Sequence, residues 1–282
     1  MLKVQVVSDL HLEFRGYNFQ KIIKPSAPVL FLVGDICACG TYDDYEIYKK
    51  FMTFLSPKFK YIFHVPGNHE YYTVGNKNIE LSDTVPGIDY KLKKFCNTFK
   101  NVFYLNNNTV RLNIDNQTYV IIGSTLWSNV LQKNRKEIGS LMNDYTHIYM
   151  PNVSNTQKPD QLKDMENQKH LVRKYTIDDM TNIHEKSVRY IKKEMKKVKP
   201  NEIAILLTHH KPVRDVDISD IVSQAYETDL KDIIIKRPFK LACFGHTHIK
   251  YDKIINNVRI VSNPKGYISQ KTMYNNAFVI EV

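Results

Sequence analysis

Acids, amides and imidazoles gather in five short clusters of the chain, each directly after an apolar run. They are Asp9 and His11 in "SDLH", Asp35 in "GD", Asn68 and His69 in "GNHE", His209 and His210 in "THH", and His246 and His248 in "GHTH". Carboxylate and amide oxygens with imidazole nitrogens, and no required thiolate, suit Mn²⁺, Fe or Zn²⁺ better than a cysteine-rich structural zinc site. Each cluster alone has a plainer reading. Asp35 after Gly34 and Asn68 after Gly67 are ordinary turn residues, and His69 or His209 could be a hydrogen-bonded loop histidine. The recurrence of one event at the end of five apolar runs is what argues for a shared site.

The elements that must position these residues are legible in the apolar pattern. "KVQVVSDL", "PVLFLVGDI" and "KYIFHVPGNHE" are short, β-rich runs that stop at polar clusters. Between the last two, "DDYEIYKKFMTFLS" places Tyr45, Tyr48, Met52 and Leu55 at helical spacing. Near-continuous apolar strands joined by such a helix indicate a sheet covered on both faces. "NVFYLNN", "NTVRLNID" and "QTYVIIGSTLW" read as a local meander, and residues from about 130 to 200 turn helical and polar. That stretch contains a loop at "MPNVSNTQKPD" and an amphipathic segment from His184 to Lys199. Strands resume at "EIAILLTHHKP", "FKLACFGHTH", "VRIVSNP" and "AFVIEV". In α/β sheets ligands bind outside the carboxyl ends of the strands, so the five clusters are expected to converge there.

Composition narrows the classes. The 282 residues, 43% hydrophobic and 24% charged, fit an ordinary globular chain. We expect one domain over 1–282 with a helical and loop insertion at about 130–185. The four cysteines, Cys37, Cys39, Cys96 and Cys243, lack CxxC spacing and disulfide-scaffold density. They read as reduced thiols in a cytoplasmic setting, with Cys37 and Cys39 as small buried thiols. Asp9 interrupts the N-terminal apolar run too early for a signal peptide, and no run approaches the ~18 residues of a membrane span. A formal charge of +11 invites a phosphate-bearing partner, although scattered lysines also serve solubility.

Taken together, "SDLH", "GD", "GNHE", "THH" and "GHTH" resemble, in order, the signature blocks of the calcineurin-like metallophosphoesterases. "GSTLW", "MNDY" and "NPKGY" are similar to the Icc-like phosphohydrolases within that superfamily. The resemblance implies a metallo-dependent phosphatase-like fold: a four-layer α/β/β/α sandwich of two mixed β-sheets flanked by helices. It implies two divalent ions, Mn²⁺ in first place with Fe or Zn²⁺ as alternatives. Asp9, His11, Asp35 and His248 would hold one ion. Asp35, Asn68, His209 and His246 would hold the other, with Asp35 bridging; His209 is chosen over His210 on the family spacing to Pro212. A metal-bridging hydroxide would attack phosphorus, and His69 would assist the leaving group or, alternatively, position it.

One departure bears on His69. The protein serine/threonine phosphatase branch carries a second acid in GDxxDRG that orients this histidine, whereas "GDICACG" has Ala38 there. That argues against the branch and leaves the partner of His69 unassigned. Tyr145, His147 and His210 are further candidates for substrate contact. The expected partner is a small phosphodiester or nucleotide, with no membrane. A nuclease acting on nucleic acid and a non-catalytic scaffold are the alternatives. The densest basic cluster, "EKSVRYIKKEMKKVK", argues against the nuclease: Arg189, Lys192, Lys193, Lys196 and Lys197 fall on one helical face, expected to point away from the metals.

Overall fold

The computed structural model describes residues 1–14, 18–152, 171–214, 221–235 and 239–282. Among the described residues, thirteen strands run in chain order: β1 Lys3–Val7, β2 Val29–Val33, β3 Tyr61–Val65, β4 Val102–Tyr104, β5 Asn108–Ile114, β6 Gln117–Ser124 and β7 Tyr149–Pro151. They continue with β8 Val172–Lys174, β9 Ile203–Thr208, β10 Phe239–Cys243, β11 Tyr251–Ile255, β12 Val258–Ser262 and β13 Val279–Glu281. A five-stranded sheet has the order β13-β1-β2-β3-β4, and a six-stranded sheet the order β11-β12-β10-β9-β6-β5. In the first, β1 to β4 are parallel and β13 is antiparallel. In the second, β12, β10, β9 and β6 are parallel, with antiparallel strands at both edges.

The inner faces of the sheets meet over Val4, Val6, Phe31, Val33, Phe63 and Val65 on one side. Ile121, Ile205, Leu207, Leu241, Cys243 and Val261 oppose them on the other. Helices cover the outer faces. Tyr48, Phe51, Met52 and Leu55 of the helix Tyr42–Leu55 are buried together with Leu30, Leu32 and Ile62. Ile191 and Met195 of the helix Ile177–Met195 pack among Val120, Ile122, Ala204 and Leu206 of the second sheet. At roughly 1.5–3 kcal/mol per buried large side chain, these faces hold the layers together. This is the four-layer sandwich expected from the blocks. All five residues of β2 are buried, as its unbroken apolar run requires of a central parallel strand.

Two local readings change. "NVFYLNN" does not belong to a meander: β4 closes the edge of the first sheet, while β5 and β6 form a hairpin on the second. Short alternating strands carry no information about which sheet they join, because both offer a half-buried edge. The amphipathic helix begins at Ile177, not near His184. Its start is a capping box, in which Thr176 Oγ1 accepts from Asp179 N at 3.2 Å and the Asp179 carboxylate accepts from Thr176 N at 2.9 Å. Most of the loop expected at "MPNVSNTQKPD" lies outside the described residues.

Arg189, Lys192 and Lys193 of this helix, and Lys196 and Lys197 just after it, are all exposed. All four cysteines are buried and unpaired. Among the described residues, no helix is long and apolar enough to cross a membrane.

Thr176→Ala should remove the cap and cost about 1 kcal/mol. A chemical-denaturation midpoint that stays at the wild-type value would contradict a role for this box in holding the helix.

Candidate metal centre

The carboxyl ends of β1, β2, β3, β9 and β10 meet at one crevice. Ligand-type atoms of Asp9, His11, Asp35 and His248 lie within 4.8 Å of one another, as do those of Asp35, His209 and His246. Asp35 belongs to both groups. Asn68 joins the second: its amide oxygen is 3.1 Å from His209 Nε2. All seven sequence candidates for metal ligation therefore come together, with His69 beside them.

Local backbone conformation is adapted to this convergence. Asp9, His11, Asp35, His246 and His248 all have φ between 48° and 67°. Such left-handed conformations in residues other than glycine cost on the order of 1–3 kcal/mol each, and they persist where surrounding structure dictates them. Here Asp9 N and His11 N donate to Gly34 O and Asp35 O, and Gly245 N donates to His209 O. The fully buried Glu70 carboxylate ties the loops after β2 and β3, accepting from Asp35 N at 3.0 Å, Ile36 N at 2.7 Å and Gly67 N at 2.5 Å. The glycines of the motifs supply space. A Cβ on Gly67 would collide with Asp35 Oδ1 and lie 2.8 Å from His209 Cε1; one on Gly245 would lie 2.7 Å from Asp9 Oδ2.

The donor orientations show what the crevice wants. His209 Nδ1 donates to Val33 O at 3.0 Å, which leaves the lone pair on its Nε2 facing Asn68 Oδ1 and, at 3.2 Å, Asp35 Oδ1. The Asn68 amide cannot turn to relieve this, because its Nδ2 donates to Asp144 Oδ1 at 2.8 Å. His248 Nδ1 donates to Gln270 Oε1 at 2.6 Å, and His11 Nδ1 to Glu13 Oε1 at 3.2 Å. Their Nε2 lone pairs then face each other across 3.0 Å. Among the described residues, Asp9 Oδ2 and His246 Nε2 are buried and find no hydrogen-bond partner. Acceptors packed this closely, away from water, call for positive charge between them, as a metal ion or as a proton on His209. The donor set fits hard or borderline divalent metals.

The same need governs the proton affinities set by the protein charges alone. Burial would lower the pKa of His209, but the Asp35 charge outweighs it and raises it to about 9. Burial opposes ionisation of Asp35 as well, yet the His209 and His69 charges hold it well below the usual carboxylate range. Burial, then the neighbouring His210, keeps His246 well below the ordinary imidazole value, so it stays neutral and able to ligate.

His69 sits 2.8 Å from Glu13 through Nδ1 and 3.1 Å from the Tyr267 hydroxyl through Nε2, with its ring stacked on Tyr72 at 4.2 Å. Burial would lower its pKa, but Asp35 and the Glu13 hydrogen bond raise it to about 9. It lines a cavity of ≈ 260 Å³ with Asp35, Asn68, His246 and His248, walled by Tyr72, Leu141, Met142, Asn143, Tyr226 and Tyr267.

The three candidates for substrate contact are placed differently. Tyr145 does not line the cavity; its ring stacks on Tyr175 and its hydroxyl lies 3.4 Å from Met180 Sδ. His147 lies behind Tyr72, ring to ring at 5.4 Å. His210 is fully buried behind His246 at 4.1 Å, with Nδ1 donating to Thr125 O. The segment's contribution to the cavity comes instead from Leu141, Met142 and Asn143, and from Asp144, which orients Asn68. Glu13, Asp144, Tyr267 and Gln270 went unassigned in the sequence. Their signals were an acid two residues beyond His11, the acid within "MNDY", and the tyrosine ending "NPKGY".

A buried, acceptor-rich pair of donor groups at the joined carboxyl ends of two mixed sheets defines a metal-dependent phosphoric ester hydrolase. Residues 2–250 match the family model described as calcineurin-like phosphoesterase, and the chain belongs to that family. It is similar to an uncharacterized protein of Acanthamoeba polyphaga mimivirus, 31% identical over 303 residues, covering 99% of this chain and 96% of that one. Its fold resembles the phosphopantetheinyl hydrolase of Mycobacterium tuberculosis, with a TM-score of 0.67 at 16% identity, covering 94% and 89% of the two chains.

Gly67→Ala should destabilise the chain by about 1–3 kcal/mol through the clash at Asp35 and His209, and should lower metal uptake. Gly139→Ala is the control: its Cβ has no neighbour within 4 Å, and it sits in the helix Arg135–Leu141. Equal thermal and metal-loading behaviour of the two variants would contradict the spatial role of Gly67.

Proposed function

We propose that this protein hydrolyses a small phosphodiester or nucleotide at a dinuclear centre, with Asp35 as the shared ligand. Asp9, His11 and His248 complete one position, and Asn68, His209 and His246 the other. The observation that carries the reading is the membership of Asp35 in both donor groups, each with lone pairs turned inward. Two divalent cations would polarise a water for in-line attack and neutralise the phosphoryl oxygens. Mn²⁺ is the preferred occupant, with Fe or Zn²⁺ as alternatives.

The chain's own groups do the rest. Asp144 and Tyr72 hold the Asn68 amide oxygen toward its position. His69 presents Nε2 to the cavity, where it donates a proton or hydrogen bond to the departing oxygen. Tyr72, Leu141, Met142 and Tyr267 line the space the ester group would occupy.

A small substrate is favoured over a polynucleotide. The cavity holds about 260 Å³, and among the described residues the exposed lysines of the helix Ile177–Met195 lie on the outer face of the second sheet, where they form no basic track into the crevice. A long strand would then lack the phosphate contacts that sustain binding at physiological salt. A panel of monoesters, diesters, cyclic nucleotides and DNA with added Mn²⁺ tests this. Preferred turnover of small diesters or nucleotides is expected, and Mn²⁺-dependent cleavage of DNA with tight binding at about 0.15 M salt would overturn it.

Asp35→Asn should impair binding of both ions and abolish turnover, while His248→Ala should weaken mainly one. Metal analysis finding two tightly held ions in Asp35→Asn would sink the bridging assignment. His69→Ala should keep its metals and lose about 10²–10⁴-fold in turnover of substrates with poor leaving groups, but little for p-nitrophenyl esters. Equal losses across leaving groups would reduce His69 to a positioning role.

A further inference from the structure

Glu13 occupies a place that neither the metal positions nor the cavity walls account for. It lies in the single 3₁₀ turn Leu12–Phe14, directly after the loop carrying Asp9 and His11. The turn is anchored by the fully buried Leu12, whose N–H donates to Ile36 O at 3.0 Å. The Glu13 side chain is 7% exposed. Its Oε2 accepts from Ala38 N at 3.2 Å, within the "GDICACG" loop. Its Oε1 is 2.8 Å from His69 Nδ1 and 3.2 Å from His11 Nδ1. One carboxylate oxygen therefore joins two imidazoles whose ring centroids are 4.4 Å apart.

An ionised carboxylate only accepts hydrogen bonds, so each ring nitrogen facing it must carry the proton. Both histidines are thereby fixed as Nδ1–H, and both Nε2 atoms are turned to work. That of His11 faces His248 Nε2 and Asp35 Oδ2, at 3.0 and 3.8 Å. That of His69 faces the cavity at the Tyr267 hydroxyl.

We propose that Glu13 is the positioning residue for His69 and His11 together, coupling the leaving-group histidine to one metal position through a single carboxylate. The role at His69 rests on the reading of that residue given above. The role at His11 stands apart from it. Outer partners of this kind are typically worth about 10–100-fold in metal affinity or activity when removed.

The test compares Glu13→Ala, Glu13→Gln, His69→Ala and the Glu13→Ala/His69→Ala double variant. The Gln variant preserves shape should the Ala variant fold poorly. At saturating Mn²⁺, Glu13→Ala is expected to lose about 10–100-fold in kcat on poor-leaving-group esters, with little change on p-nitrophenyl esters. Glu13→Gln should lose less, and the double variant no more than His69→Ala. Calorimetry should show one Mn²⁺ weakened by a similar factor. Nitrogen-resolved NMR of the metal-free protein should show His11 and His69 as Nδ1–H, with both signals released in Glu13→Ala.

Additive losses in the double variant, or an unprotonated His69 Nδ1, would overturn the joint role, as would a third bound ion removed by Glu13→Ala. Leaving-group dependence in His69→Ala but not in Glu13→Ala overturns the role of Glu13 at His69 alone. Its absence from both overturns the reading of His69 itself.

Discussion

The crowding of acceptor atoms at the crevice is the constraint on which the rest of the structure depends. His11 and His248 turn lone pairs toward each other across 3.0 Å, and His209 turns one toward the Asn68 and Asp35 oxygens. Such contacts are repulsive without a positive charge between them. The protein holds them in place nonetheless. Five of the residues involved keep a left-handed backbone, two glycines leave out a Cβ that would strike a candidate donor, and Glu70 draws three backbone N–H groups into one buried carboxylate. Each device carries a local cost that cation binding would offset. The arrangement makes sense as a preorganised centre and not as a folding device.

The fold supplies direction. Parallel strands from both sheets end at the same edge, so β1, β2 and β3 deliver oxygen donors and imidazoles from one sheet, while β9 and β10 deliver imidazoles from the other. The packed inner faces fix the spacing between the two sets. Residues 141–144 then reach over this edge. Asp144 orients Asn68 from there, and Leu141 and Met142 wall the cavity. Hydrogen bonds from Asn68 Nδ2 and the Tyr72 hydroxyl to the Asp144 carboxylate tie these residues to the centre.

Much of this was legible in the sequence, for a physical reason. Metal donors must be specific residue types at strand ends, and strands announce themselves by short apolar runs, so the five blocks could be read one by one. The residues that orient the donors were harder. Glu13 and Asp144 act through geometry that closes only in three dimensions, linking positions 56 and 76 residues away to His69 and Asn68. Tyr145 was a candidate for substrate contact because it lies in the insertion that interrupts the strand pattern, but its side chain faces Tyr175 and Met180 in the core. In a short helix such as Asp144–His147, one residue's rotation decides whether a ring meets solvent, site or core. The sheet joined by β4 was equally closed to local reading.

The most direct test of the central claim is electron paramagnetic resonance of the metal-stripped chain titrated with Mn²⁺. Two ions bridged by Asp35 should give a spin-coupled dinuclear signal that saturates at two equivalents. Saturation at one equivalent, or two ions with uncoupled single-ion spectra, would contradict a shared centre at the joined ends of the two sheets.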